Sequence, residues 1–224
     1  MGGQLGDQGV IHAQDQCFRI LDTRKVGQTF LHLVSKNNDQ GQPGALEAGE
    51  IRIEVDVDRR KAMERHHTVT HLLHWALHQI VGKDVSQKGS YVGPEKLTFD
   101  FNSQALSADQ LSDVERLVNE RILENAPVSW QEVPYESVKT REDVMQFFGD
   151  KYGETVRVVQ IGGTPGLLDG YSMELCGGTH TRGTGELGVF RMVNESAIAA
   201  GIRRIEAVAG WAAYDMGLAH QKNL

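Results

Sequence analysis

The rhythm of hydrophobic and polar positions changes along the chain, and each change marks an element. From Val10 to Val57 the pattern is that of strands. Ile51, Ile53, Val55 and Val57 alternate with Arg52, Glu54 and Asp56, the period of a half-buried strand. Val26 to Val34, with Phe30 and Leu31, predicts another strand. Lys36 to Gly49, polar and carrying Pro43-Gly44, reads as a turn or hairpin loop. Asp58-Arg59-Arg60-Lys61 marks a boundary, after which the period lengthens. Val69, Leu72, Leu73, Ala76, Leu77 and Ile80 predict a helix over about Ala62 to Val81 with one apolar face, ended by Gly82.

Shorter elements follow. Val85 to Tyr91 is a polar strand or turn, and Leu97, Phe99 and Phe101 alternate as a strand. Ser107 followed by Gln110 is a capping box. It opens a helix through Leu111, Val114, Leu117, Val118 and Ile122 that must end before Pro127. Val128 to Val133 predicts a strand, Ser137 or Arg141 to Phe148 a more polar helix, Val156 to Ile161 a strand, and Gly162 to Gly170 a loop. In the next strand Tyr171, Met173 and Leu175 point one way; Ser172, Glu174 and Cys176 point the other, which sets Cys176 on a polar face. Leu187 to Val193 and Arg203 to Ala209 complete the strands. Long helices among strands in no regular βαβ alternation predict an α+β fold. Residues 1–58 form a small all-β region, 59–210 the main domain and 211–224 a tail.

Two stretches carry candidate chemistry: His67-Thr68-Val69-Thr70-His71 within the long helix, and Cys176-Gly177-Gly178-Thr179-His180 at a strand end. Imidazoles four apart stack on one helix face. A Cys and a His flanking two glycines can converge on one point, because glycine permits backbone angles other residues avoid. Together they offer the nitrogen and sulfur donors that Zn²⁺ prefers. The helix holds a second pair, His74 and His78, in the same stripe. His67 and His78 lie roughly 16 Å apart along the axis, so one ion cannot take all four, and spacing leaves the pair open. A histidine pair alone is ordinarily surface or core polarity; both stretches in one chain are what point to a metal. Cys17, within a β stretch, reads as a small buried hydrophobe. Arg203-Arg204 is either a solvated strand edge or, with Arg59-Arg60-Lys61, a set of contacts to phosphate.

Composition narrows the class. A hydrophobic content of 40% and charged content of 24% are ordinary for a globular domain. No apolar run approaches the ~20 residues of a membrane span, and the glycine-rich Met1 to Val10 stretch is not a secretory signal. Two cysteines in unlike settings point to a reducing, cytoplasmic environment, not a disulfide framework. A net charge of −7 gains little from counterion release, so any RNA contact would be local and weak.

The ordered series Gly2-Gly3-Gln4-Leu5-Gly6-Asp7, His67-Thr-Val-Thr-His71-Leu-Leu-His, Gln87-Lys-Gly-Ser90, Cys176-Gly-Gly-Thr-His180 and Ala200-Gly-Ile-Arg-Arg-Ile-Glu206-Ala resembles the editing domain of alanyl-tRNA synthetase. Free-standing alanyl-tRNA editing proteins share that domain. The likeness runs from Gly2 to about Gly210. It implies a partial β-barrel followed by the α/β sandwich editing domain that alanyl- and threonyl-tRNA synthetases have in common. It also implies Zn²⁺ on His67, His71, Cys176 and His180, and not on His74 and His78. The implied activity is hydrolysis of seryl or glycyl esters at the acceptor end of alanine tRNA. The family's aminoacylation domain and C-terminal region have no counterpart, so a fragment of a synthetase is expected, with the remaining synthetase domains as partners.

An alanine-sized pocket cannot strongly exclude glycine, and discriminates poorly against one added hydroxyl. A second site that hydrolyses the wrong ester must recognise that hydroxyl; a polar group left unpaired by alanine costs about 1–3 kcal/mol. On the resemblance, Gln87 makes that contact and, with Cys176, belongs to the catalytic set. Gly3, Gln4, Gly89, Ser90, Gly177, Gly178 and Thr179 line the substrate, and Arg203 and Arg204 meet RNA. Glu174 and Glu186 are candidate general bases by proximity in sequence alone. Four protein ligands ordinarily make a closed, structural zinc site, so a non-catalytic, zinc-stabilised RNA-binding module is the competing reading.

Overall fold

The computed structural model describes residues 3–14, 16–35, 41, 49–147 and 152–222. Gly2, most of the expected hairpin loop including Pro43-Gly44, and Phe148 lie outside the described residues. The chain divides into two compact units, Leu5–Lys61 and the combination of Met1–Gln4 with Ala62–Leu224.

The first unit is an open antiparallel sheet of strands β1 (Gly9–Ala13), β2 (Gln16–Val26), β3 (Thr29–Val34) and β4 (Ile51–Val55), in the order β3-β2-β1-β4. Ile11, Ala13, Phe18 and Ile20 are its buried positions. The alternation in β4 forms a strand as expected, but Ile51, Ile53 and Val55 stay exposed, because no layer among the described residues covers them. Cys17 is half-buried, and its Sγ lies 3.1 Å from His12 Nδ1; a polar partner, not an apolar pocket, receives it.

The second unit is built on helix α1 (Val57–Ile80), whose residues from Ala62 onward belong to it. Two sheets accompany it. One has the order β10-β11-β6-β5, from β5 (Gln87–Val92), β6 (Leu97–Asn102), β10 (Phe190–Ala199) and β11 (Ile202–Ala209). The other has the order β7-β8-β9, from β7 (Val128–Pro134), β8 (Thr155–Ile161) and β9 (Ser172–Leu175). Helices α2 (Ala108–Leu123) and α3 (Trp211–Lys222) complete it, so the expected C-terminal tail is largely helical. The fold is mixed α+β, with no closed barrel among the described residues.

Helix α1 departs from a simple amphipathic pattern: every residue from His66 to His74 is buried. Val69, Leu72, Leu73, Ala76 and Leu77 enter the main core with Phe99, Phe101, Val118, Ile161 and Ile205. The polar stripe is covered as well. His66 is held neutral by burial, although its bond to Gly93 opposes that effect. Its Nδ1 meets Gly93 O at 2.7 Å, and its Nε2 accepts from Ala209 N at 3.1 Å, tying α1 to β11.

The capping box of α2 forms as read: Gln110 N donates to Ser107 Oγ, and Ser107 N donates to Gln110 Oε1. The helix expected from Ser137 or Arg141 to Phe148 does not form among the described residues, which in this stretch run to 147. A 3₁₀ turn spans Tyr135–Ser137, and Met145 pairs with the edge of β9. Met145 N donates to Met173 O at 2.8 Å, and Leu175 N donates to Met145 O at 3.0 Å. A short helix is marginal by itself, whereas an edge strand's buried backbone groups need partners. Val138 and Val144 both enter a small core with Val156, Val158, Met173 and Leu175.

Candidate metal centre

Strand β9 has the parity read from its sequence. Met173 and Leu175 face the small core, while Ser172 and Glu174 face away from it. That second face is polar but not solvated: Ser172 is 6% exposed and Glu174 4%, and Glu174 reaches the histidine stripe of α1. The strand's direction carries the chain past Leu175 into the Cys-Gly-Gly-Thr-His loop, beside the same stripe.

There His67, His71, Cys176 and His180 converge, with one ligand atom from each within 4.8 Å of the others. Cys176 Sγ lies 3.4 Å from His67 Nε2 and 3.4 Å from His180 Nε2. Ligands placed tetrahedrally at zinc–nitrogen and zinc–sulfur distances stand about 3.3–3.6 Å apart, so the donor set and these two spacings fit such an ion. The other pair goes elsewhere. His74 Nδ1 bonds Glu174 Oε1 at 2.9 Å, and His78 Nε2 meets Val85 O at 2.6 Å.

The outer contacts orient the donors. His67 Nδ1 lies 2.7 Å from Gln4 Oε1. His180 Nδ1 lies 3.1 Å from Thr68 Oγ1, which also accepts from Thr181 N. These bonds at Nδ1 leave both Nε2 atoms toward the thiol. Arg157 holds the loop from outside, donating from Nη1 to Gly178 O at 2.6 Å and to Cys176 O at 3.3 Å while its guanidinium lies over Trp130. Gly178 leaves room for the His67 ring, since a Cβ there would stand 2.0 Å from His67 Cε1. Gly177 borders open space, with nothing within 4 Å of the corresponding position.

The electrostatics suit a cation. Burial alone would raise the Cys176 thiol, but the neighbouring His67 and the hydrogen bonds shared with His180, His67 and His71 outweigh it and hold the thiol well below its ordinary 9.0. Burial would strip the His71 proton, but Glu174 and Cys176 lift it to about 9. Burial and His67 push His180 down to about 3. Glu174 would be raised by burial, but His71 and His74 keep it ionised, below its usual range. A thiol held low, an imidazole held high and a carboxylate held low thus stand together in one cluster.

A plateau in the thermal stability of the metal-free protein is expected from about pH 6.5 to 9. His71 contributes in full below its ordinary 6.5 and loses that contribution as pH climbs to about 9. Cys176, with its folded value depressed, gains as pH rises toward its ordinary 9.0. The two slopes oppose over the shared interval. Below 6.5 stability falls, because the unfolded His180 takes up a proton that the folded one refuses until about pH 3. Melts in chelator across this range test it; a steady decline from 6.5 to 9 would contradict the thiolate–imidazolium pairing.

The other predicted site residues divide. Gln87 stands on β5 before a bulge and donates from Nε2 to Ser90 Oγ at 3.0 Å; its Oε1 makes no hydrogen bond among the described residues. Gly3 and Gln4 pack on β5 and the metal loop, and Gln4 meets Thr179 through both N and Oγ1. Gly89 and Ser90 line a pocket of about 430 Å³ with Arg204, Asp100, Lys96 and Glu206. Arg203 is engaged by both carboxylate oxygens of Glu195, and Arg204 by both of Asp100, at 2.6 and 2.8 Å. Arg60 is likewise paired with Asp7, and Arg59 donates to Gly6 O. Glu186 caps Arg182 N at the surface and takes no part in the centre. Glu174, a candidate base by proximity in sequence, contacts His71 at 3.5 Å and bonds His74, an arrangement that only the meeting of α1 and β9 creates.

Comparison with known proteins shows the family to which this centre's chain is similar. The threonyl and alanyl tRNA synthetase second additional domain matches residues 156–206, the span containing the Cys176–His180 loop. An alanine–tRNA ligase of Akkermansia muciniphila is 46% identical over 218 residues, covering 96% of this chain and 23% of that protein. The alanine–tRNA ligase of Dichelobacter nodosus is 47% identical over 214 residues, covering 95% of this chain and 23% of that protein. That of Methylacidiphilum infernorum is 46% identical over 212, covering 94% and 22%.

The chain belongs to the alanyl-tRNA synthetase editing-domain family.

It spans about a quarter of the length of these relatives. Within the editing-domain family, His67, His71, Cys176 and His180 form the metal-competent cluster of this chain. No helix among the described residues is long and apolar enough to cross a membrane.

Proposed function

We propose that this chain hydrolyses the ester of mischarged alanine tRNA, releasing serine or glycine from the acceptor end, as the proofreading region of a cytoplasmic alanyl-tRNA synthetase. The convergence of His67, His71, Cys176 and His180 beside the open flank of Gly177 carries the reading. These four residues would hold Zn²⁺, which when bound supplies Lewis acidity toward an ester carbonyl or a water molecule.

The chain's own residues do the rest. Glu174 presses on His71 and holds it in place. Arg157 donates to the carbonyls of Cys176 and Gly178, which holds the loop in one arrangement. Gln87 Oε1 is free to accept a hydrogen bond from a seryl hydroxyl, a bond alanine cannot return. Because phosphates would compete with Glu195 and Asp100 for Arg203 and Arg204, and the net charge is −7, tRNA affinity of the isolated chain is expected to be weak.

The test is a deacylation time course with seryl-, glycyl- and alanyl-tRNA, with and without chelator. Seryl- or glycyl-tRNA should be hydrolysed, alanyl-tRNA spared, and the activity lost in chelator. Metal retention with no ester hydrolysis of any of the three would overturn the proposal in favour of a zinc-stabilised RNA-binding module.

A further inference from the structure

Gln4 sits far from the metal centre in sequence and against it in space. The approach depends on Gly3. Val92 N donates to Gly3 O at 2.8 Å, Gly3 N donates to Ser90 Oγ at 3.4 Å, and Gln4 pairs with Val92 as a short parallel bridge. A Cβ on Gly3 would stand 1.8 Å from Ser90 O, so this packing of backbone on backbone excludes any side chain. It delivers the next side chain to the loop that carries Cys176.

The Gln4 amide is spent on protein atoms. Oε1 accepts from Thr179 N at 3.0 Å and faces His67 Nδ1 at 2.7 Å; Nε2 donates to Thr179 Oγ1 at 2.7 Å. A backbone N–H can only donate, which fixes the orientation of the amide. His67 Nδ1 must then carry its proton, and its Nε2 lone pair is the one turned toward Cys176 Sγ.

We infer that Gln4 is a positioning residue: it sets the tautomer and ring orientation of His67, locks that ring to the Cys176–His180 loop, and does not contact substrate. The inference rests on the metal reading above. Loss of such an outer partner typically costs 10–100-fold in metal affinity, and that range is expected for Gln4→Ala.

Competition between the protein and a chromophoric chelator for Co²⁺ and Zn²⁺ tests it, on the whole chain and three variants. Gln4→Ala and Gln4→Met should both bind about 10–100-fold more weakly; Met keeps the bulk and removes the acceptor. Gln4→Glu, which can still accept from both N–H groups, should stay within a few-fold of the parent. The visible spectrum of the Co²⁺ form should change in Gln4→Ala and Gln4→Met and persist in Gln4→Glu. If the parent binds neither ion, the metal reading itself falls. If the parent binds and Gln4→Met equals Gln4→Glu, the positioning role is wrong. Melts in chelator separate a merely structural contribution: a lower Tm in Gln4→Met with unchanged metal affinity also overturns the inference. Should Gln4→Ala fail to fold, the Met and Glu pair decides alone.

Discussion

Cys176→Ala is expected to leave the protein folded, strip its metal and reduce hydrolysis of seryl-tRNA to the rate in buffer. Cys176 belongs to neither hydrophobic core, so its removal takes no packing from them. It does remove the only sulfur donor of the cluster and the thiolate that His67 and His180 face at 3.4 Å. Losing a ligand should exceed the 10–100-fold that loss of an outer partner costs. Far-UV circular dichroism melts of both proteins in chelator supply the control. If the variant melts well below the chelated parent, the Cys176 contacts are structural and the loss of activity says nothing about chemistry. A folded variant that still deacylates seryl-tRNA at the parent's rate would end the assignment of Cys176 to the site.

Gly178→Ala should cost about 10²-fold in deacylation, and Gly177→Ala little, although the two glycines are adjacent. The magnitude is that of a misplacement of about 1 Å in a catalytic arrangement. A methyl on Gly178 would stand 2.0 Å from His67 Cε1, 2.3 Å from His67 Nδ1 and 2.7 Å from Gln4 Oε1, so the ring must swing away from the centre. A methyl on Gly177 meets nothing within 4 Å, and no positive φ is recorded there. Rates for both variants under saturating Zn²⁺ provide the comparison. Equal losses would mean that loop flexibility, not room for the ring, is what the glycine pair supplies.

What the sequence made legible was local. The long helix, the capping box at Ser107 and Gln110, and the alternation through Leu97, Phe99 and Phe101 each depend on neighbours within a turn or a strand, and each formed. The ligand pair could not be chosen that way, because His67/His71 and His74/His78 have the same spacing; the family likeness selected the first, and the convergence with Cys176 and His180 agrees with it. The expected helix near Arg141 failed because the edge of β9 offered Met145 a better set of backbone partners. Glu174 was visible only as a residue of the right parity. Its burial depends on α1 lying across that face, a contact between residues 100 apart in sequence. The meeting of the Gln4 amide with His67 and Thr179 is likewise a contact no periodicity encodes.

The separation of the donors along the chain has a consequence for how the site comes into being. His67 and His71 share one helix and can be adjacent as soon as it forms, on the sub-microsecond to microsecond timescale of helix growth. Cys176 is 109 residues from His67, and closing that span is a long-range event whose entropy must be repaid by the contacts it makes. A nascent chain therefore exposes a two-histidine half-site throughout the synthesis of everything between, and the full set exists only once β9 has docked. Emergence and docking of the Cys176–His180 loop, not emergence of the helix, would thus set when the centre can first be loaded.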